Sequence, residues 1–146
     1  MDADPVYGSF ILSKFINKLM MYGKKSTARR IVYNALEKFA ERVKAENPLD
    51  AFEHAIENAR PALEVKTRRI GGANYQVPVE IPNERRTAMA MQWIILYSRA
   101  KPGRAMEESL ASELADCFNH QGATIKKKDD THRMAEANRA FAHYKW

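Results

Sequence analysis

Cys117 and His120 lie three residues apart, a spacing that would set two metal-binding side chains on one face of a helix. His54, His132 and His143 are the other imidazoles, and none stands where it would complete a familiar ligand set. No metal site and no cofactor is therefore expected, and Cys117 reads as a buried thiol beside a helix-end histidine. Asp129, Asp130 and His132 would suit proton transfer, yet no activated nucleophile accompanies them. A helix cap accounts for the two carboxylates. Gly71-Gly72 belongs to no G-x-G-x-x-G or Walker pattern, so a tight turn explains it. Glu107, Glu108, Glu113 and Asp116 share a helix with Leu110 and Leu114. They read as its solvated face, or as a contact for a basic neighbour. No catalytic residue is assigned, and the expectation is a protein that is not an enzyme.

Phosphate binding has far more residues behind it. Lys24-Lys25 stands at a turn and Arg29-Arg30 on the first turns of the following helix, where basic side chains oppose the macrodipole. Lys66, Arg68 and Arg69 crowd one strand, where close like charges cost stability. Edge protection is the bland reading, and it needs one or two charges rather than three. Arg85-Arg86, the trio Arg99, Lys101 and Arg104, and the run Lys126, Lys127, Lys128 add to these. Tyr75, Tyr144 and Trp146 offer rings for base stacking; for Tyr144, core packing is the other reading.

The net charge is +6 and the isoelectric point about 9.5, but the distribution says more than the total. Net charge is +4 over residues 1–36, +6 over 65–104 and +3 over 117–146, against −3 over 37–64 and −4 over 105–116. A uniformly solvated surface would mix the signs. The chain has a basic side, and the charge pattern leaves RNA and DNA both open as its ligand.

These residues need a frame. A chain of 146 residues is one domain's worth and can bury a proper core. One cysteine excludes a disulfide framework. The first forty residues hold no long uninterrupted apolar run, which predicts neither a secretory signal nor a membrane span, hence a soluble intracellular chain.

Apolar spacing predicts helices over residues 9–22 with Ser9 as N-cap, over 26–45, and from Asn47-Pro48 to Pro61. Two β-rich runs, 64–70 and 75–81, flank a turn at 71–74 and read as a hairpin, with Pro78 on an open outer side. An isolated ribbon is marginal, so it either packs on the helices or stands out as an arm. A helix over 83–100 follows, with Ala90, Trp93, Ile94 and Tyr97 as core candidates. Another spans 105–121 and stops at Gly122. The last starts after Asp129-Asp130-Thr131 and sets Met134, Ala137, Phe141 and Tyr144 on one face. The architecture is mainly α: about six helices in one domain, with a protruding two-stranded β-hairpin between the third and fourth.

Several longer words are more specific than any motif. They are Asp4-Pro5-Val6-Tyr7-Gly8-Ser9, Lys14-Phe15-Ile16-Asn17, Gly23-Lys24-Lys25-Ser26-Thr27, and Val65-Lys66 continuing to Arg68-Arg69-Ile70-Gly71-Gly72. Tyr75-Gln76-Val77-Pro78-Val79-Glu80, Arg133-Met134-Ala135-Glu136-Ala137-Asn138 and Ala140-Phe141-Ala142-His143-Tyr144 complete the set. From residue 4 onward the chain resembles bacterial-type small-subunit ribosomal protein seven. The resemblance implies a helical domain with a protruding hairpin that binds small-subunit rRNA and organises the three-prime major (head) domain. It implies a place near the exit-site tRNA and the mRNA exit path, beside neighbouring small-subunit proteins, in the cytoplasm or on an organellar ribosome. No membrane and no obligate homo-oligomer is implied.

Matched motif by motif, the rRNA-facing candidates are Lys24, Lys25, Arg29, Lys66, Arg68, Arg69, Arg85, Arg86, Arg99, Lys101, Arg104, Lys126, Lys127, Lys128 and Arg133. Gly71, Gly72, Ala73, Asn74 and Tyr75 would form a hairpin tip lying toward the exit-site tRNA. The hairpin is expected to be mobile alone and ordered on the ribosome. Three departures stand out. The family's basic N-terminal arm is mostly absent, with only Met1-Asp2-Ala3 before the Asp-Pro word, which predicts weaker RNA affinity. Gln92 replaces a common arginine, and Glu107-Glu108-Ser109 is more acidic than usual, which predicts a helix turned away from RNA. The competing reading is a non-ribosomal regulator that uses the same basic face on messenger RNA.

Overall fold

The computed structural model describes residues 2–144. Ser9 caps α1 (Phe10–Leu19), its hydroxyl accepting the Leu12 N–H at 3.1 Å. Lys44, in the left-handed region, closes α2 (Lys25–Val43). Asn47 caps α3 (Pro48–Ala59) by accepting the Leu49 N–H at 3.0 Å, with Pro48 in the first turn. The hairpin strands are β1 (Leu63–Ile70) and β2 (Ala73–Glu80), followed by α4 (Asn83–Arg99), α5 (Met106–Phe118) and α6 (Gly122–Ala137). A 3-10 turn over Arg139–Tyr144 comes last. Six α-helices and a hairpin between α3 and α4 match the expected architecture. No helix among the described residues is long and apolar enough to cross a membrane.

The core forms where α5 packs on α2, α3, α4 and α6. Phe15, Phe39 and Phe52 are fully buried there, and Phe15 meets Phe52 edge-on with ring centroids 5.2 Å apart. In α4 the buried stripe is Ala90, Met91, Ile94, Ile95 and Ser98. Trp93 and Tyr97, expected in the core, are only half-buried at its margin.

Three boundaries differ from the expectation, each for a local reason. Gly71 and Gly72 alone form the hairpin turn, both at positive φ, so Ala73 and Asn74 already belong to β2. Gly122 opens α6 instead of merely ending α5; at φ +87 it turns the chain while the Glu113 carboxylate of α5 accepts the Thr124 N–H at 3.2 Å. With its start capped from the neighbouring helix, α6 runs straight through Lys126–Lys128 and Asp129-Asp130, which therefore cap nothing. It ends at Asn138, whose side-chain amide donates to the Met134 carbonyl at 2.8 Å and competes with the helix ladder. The expected stripe from Met134 to Tyr144 is thereby broken.

The hairpin does not stand free. Val77 is fully buried and Pro78 is buried as well, and the strands pack on α6 and the 3-10 turn. The outer edge of β2 at Pro78 pairs with no further strand among the described residues, as expected, although the Pro78 side chain is buried.

Candidate nucleic-acid interface

The hairpin base is tied to the helices by three polar links, and a fourth joins α6 to α3. Glu64 accepts two hydrogen bonds from the Arg85 guanidinium, at 3.0 and 3.1 Å. Arg86 donates to the Pro61 carbonyl at 2.9 Å, and Lys128 to the Asn58 carbonyl at 2.9 Å. The Ala62 N–H donates to His132 Nε2 at 2.8 Å. Arg85, Arg86 and Lys128, read from sequence as phosphate contacts, thus have partners inside the fold. Hydrogen bonds from Arg85 hold the Glu64 carboxyl below its ordinary range, with burial acting the other way. Burial first, then Lys128 and Arg86, hold His132 low, Asp129 opposing them.

Both shifts make the hairpin base acid-sensitive. An unfolded His132 gains its proton near pH ~6.5, before the folded one does, so stability declines as the pH falls below that value. The Glu64 contribution is present above the unfolded carboxylate pKa and is lost as the pH falls through its lower folded value. Acid titration followed by NMR of the hairpin amides is expected to show two stages, the upper removed by His132→Gln and the lower by Glu64→Gln. Acid titration curves of the hairpin amides that are the same in wild type, His132→Gln and Glu64→Gln would refute the anchoring role.

The remaining candidates sort by partner. Arg99 donates to the Leu19 carbonyl at 3.0 Å, and Arg133 pairs with Asp130 at 2.8 Å. The Lys101 ammonium turns inward to Glu113 at 3.5 Å, and Arg68 donates to the Tyr144 carbonyl. Glu113 is therefore no part of a solvated face: it is 1% exposed. The side chains of Lys24, Lys25, Arg29, Lys66, Arg69, Arg104, Lys126 and Lys127 have no ion-pair or hydrogen-bond partner among the described residues. Lys66 and Arg68 emerge on one face of the hairpin and Arg69 on the other, because side chains alternate along a strand. Tyr75 lies away from the turn, opposite Arg68, and packs on Phe141 and Tyr144. It does not belong to the tip. Trp146 lies outside the described residues.

Two cations escaped the sequence reading. Lys14 and Lys18 stand one turn apart on the outer side of α1, and neither has an internal ion pair among the described residues. Their signal was present: like charges at i, i+4 opposite an apolar stripe, a pair that costs helix stability. They line a run of open grooves. One, of about 420 Å³, holds Lys14, Asn17, Lys18, Glu84, Thr87 and Met91. The next, of about 530 Å³, holds Lys18, Gln92, Trp93, Leu96 and Arg99. A third continues from Arg99 to Lys24, Tyr22 and Met106. Lys18 joins the first groove to the second and Arg99 joins the second to the third. Tyr22 is 88% and Leu96 55% exposed along this path. At its other end, Glu84 lines the first groove while the adjacent Arg85 holds the hairpin, so α4 joins the two.

The acidic residues of α5 are placed elsewhere. Glu108 pairs with Lys38 at 3.0 Å and Arg42 at 2.6 Å, and Glu107 accepts from Asn34 at 3.0 Å. Of the α5 acids, Glu108 is thus neutralised by two cations of α2 and Glu113 by Lys101, while Glu107 meets only a neutral amide. Cys117 is buried, and burial foremost, with Glu113 next, pushes its thiol up to about 12, so it stays protonated. Among the described residues no group of histidines, cysteines and carboxylates could hold a metal ion.

The sequence that folds into this basic helical body and tethered hairpin has relatives over nearly its whole length. The family model described as Ribosomal protein S7p/S5e matches residues 1–139. The small ribosomal subunit protein uS7 of Protochlamydia amoebophila is 74% identical over 145 residues, covering 99% of this chain and 92% of the relative. The protein of the same name from Chlamydia abortus is 70% identical over 144 residues, with the same coverage. With one family spanning nearly the whole sequence and the words from Asp4 to Tyr144 folded into its helices and hairpin, the chain belongs to the ribosomal protein S7p/S5e family.

Proposed function

We propose that the protein is a structural, rRNA-binding component of the small ribosomal subunit that helps organise the head domain, acting as one rRNA-binding unit. The observation that carries this reading is the chain of grooves joined through Lys18 and Arg99. It presents ammonium groups on Lys14, Lys18 and Lys24, unpaired among the described residues, beside exposed aromatic and apolar side chains. Such a surface neutralises phosphates, and its rings support splayed bases. Lys25, Arg29, Lys66, Arg69, Arg104, Lys126 and Lys127 are the remaining direct contacts in this reading. Arg68, Arg85, Arg86, Lys101 and Lys128 act mainly by holding the fold in shape, with Arg99 and Arg133 doing both.

The Gly71-Gly72 turn would lie toward the exit-site tRNA and the mRNA exit path. Neighbouring small-subunit proteins would meet surfaces outside the grooves, and the protein would work on the cytoplasmic ribosome. Family membership weighs against the free messenger regulator.

Sucrose-gradient sedimentation of cell extract tests the assignment. The protein is expected to travel with small subunits and to remain there after a moderate salt wash. Recovery in the messenger fraction, with subunits lacking it, would overturn the reading in favour of the regulator.

A further inference from the structure

The reading of the hairpin as an RNA contact leaves open which of its faces meets the RNA. We propose that the C-terminal 3-10 turn is a clamp that positions the hairpin: it takes up Arg68 and Tyr75 on one face, leaving Lys66 exposed nearer the base of that face, and presents the opposite face of Thr67, Arg69, Asn74 and Gln76 to RNA. This inference rests on the ribosomal reading above.

Arg68 and Tyr75 are directly opposed across the two strands, so their side chains leave the same face of the ribbon. Both engage one partner. The Arg68 guanidinium donates to the Tyr144 carbonyl. The Tyr75 ring lies 4.8 Å from the Tyr144 ring and 5.5 Å from that of Phe141. Phe141 and Tyr144 are themselves nearly parallel, at 16° with centroids 6.0 Å apart. That alignment follows from the backbone. In a 3-10 turn residues i and i+3 eclipse, whereas in an α-helix they are rotated apart. The switch comes at Asn138, whose backbone N–H and side-chain amide both donate to the Met134 carbonyl, and the 3-10 turn that follows sets the two rings against the hairpin.

The other face is open. Thr67, Arg69, Asn74 and Gln76 are all exposed, and the Gln76 amide donates to the Thr67 hydroxyl at 3.2 Å. The Arg69 side chain has no ion-pair or hydrogen-bond partner among the described residues. It offers a phosphate ligand, and Asn74 opposite it offers a donor and an acceptor. A two-stranded ribbon without support is marginal, so its direction depends on what grips its outer half.

Hydrogen exchange on the RNA-free full chain tests the clamp without invoking RNA. In Phe141→Ala and Tyr75→Ala the hairpin amides are expected to exchange about tenfold faster, with those of α1 to α5 unchanged and Phe141→Tyr and Tyr75→Phe close to wild type. Unaltered hairpin exchange, or equal acceleration throughout the chain, would overturn the clamp. Binding to an rRNA head-domain fragment tests the facing. Arg69→Gln is expected to lower the slope of log affinity against log salt by about one. Phe141→Ala should weaken binding about tenfold with that slope unchanged. A loosened hairpin with wild-type affinity would overturn the positioning role. If the wild-type protein does not bind the fragment, the ribosomal reading itself fails, while the exchange result still decides the clamp.

Discussion

Replacing Lys14, Lys18 and Lys24 together by glutamine is expected to weaken binding to an rRNA head-domain fragment roughly 10²–10³-fold at about 0.1 M salt. The estimate follows from counterion release. Each phosphate neutralised contributes about 0.7–0.9 to the slope of log affinity against log salt, so three lost contacts lower that slope by about two to three. Glutamine keeps most of each stem's packing while removing the charge. The matching control is Lys38→Gln with Arg42→Gln, where both cations already face Glu108. This pair is expected to change affinity only slightly. Equal losses from the two sets would mean that the RNA reads total charge instead of a located surface. Filter binding at four or five salt concentrations measures both quantities at once.

Glu113→Ala is the substitution expected to cost most in stability, about 2–4 kcal/mol. Removing one partner of a buried pair typically costs 3–5 kcal/mol, reduced here because the surviving Lys101 is 27% exposed and can reach water. The carboxylate also terminates a helix that has no cap of its own: Gln121 makes no side-chain capping bond, and Glu113 receives the Thr124 N–H instead. Losing it leaves a buried N–H unsatisfied at the positive end of α6. For a chain of this size each kcal/mol lowers Tm by roughly 2–4 °C, so a fall of about 5–15 °C is expected. Glu113→Gln retains an acceptor and should lose about half as much. Urea melts give the free energies, and amide exchange should show the first turn of α6 fraying before the other helices. A loss below about 1 kcal/mol, the worth of an ordinary hydrogen bond, would show that the pair and cap are dispensable.

Both predictions depend on partners distant in sequence. Lys101 and Arg104 look alike in a basic turn, yet only Lys101 meets a buried carboxylate, contributed by the following helix. Arg85 and Arg86 look like a phosphate clamp, and they hold Glu64 and the Pro61 carbonyl. Tyr75 reads as a tip residue until the two-residue turn is seen, and then it lies opposite Arg68 against the C-terminal rings. Lys14 and Lys18 are two isolated charges on an amphipathic helix, with no neighbouring cation in sequence to mark them as part of a basic cluster. Their importance comes from α4, which supplies Trp93, Gln92 and Arg99 across the groove.

Local chemistry was readable wherever one segment decides its own conformation. Ser9 and Asn47-Pro48 announced helix starts, Gly71-Gly72 announced the turn, and the 3.6-residue spacing of Leu12, Phe15, Ile16 and Leu19 announced the buried side of α1. The family words followed from sequence alone, and with them the membership. The segment after Gly122 was misread because its cap comes from another helix and its end from an asparagine amide that competes with the ladder. Which cations are free, which face of the hairpin is open, and where the grooves run were decided by tertiary structure alone. A charge carries no mark of its partner in the chain, and only packing brings an acid within reach of one lysine while leaving the next in water.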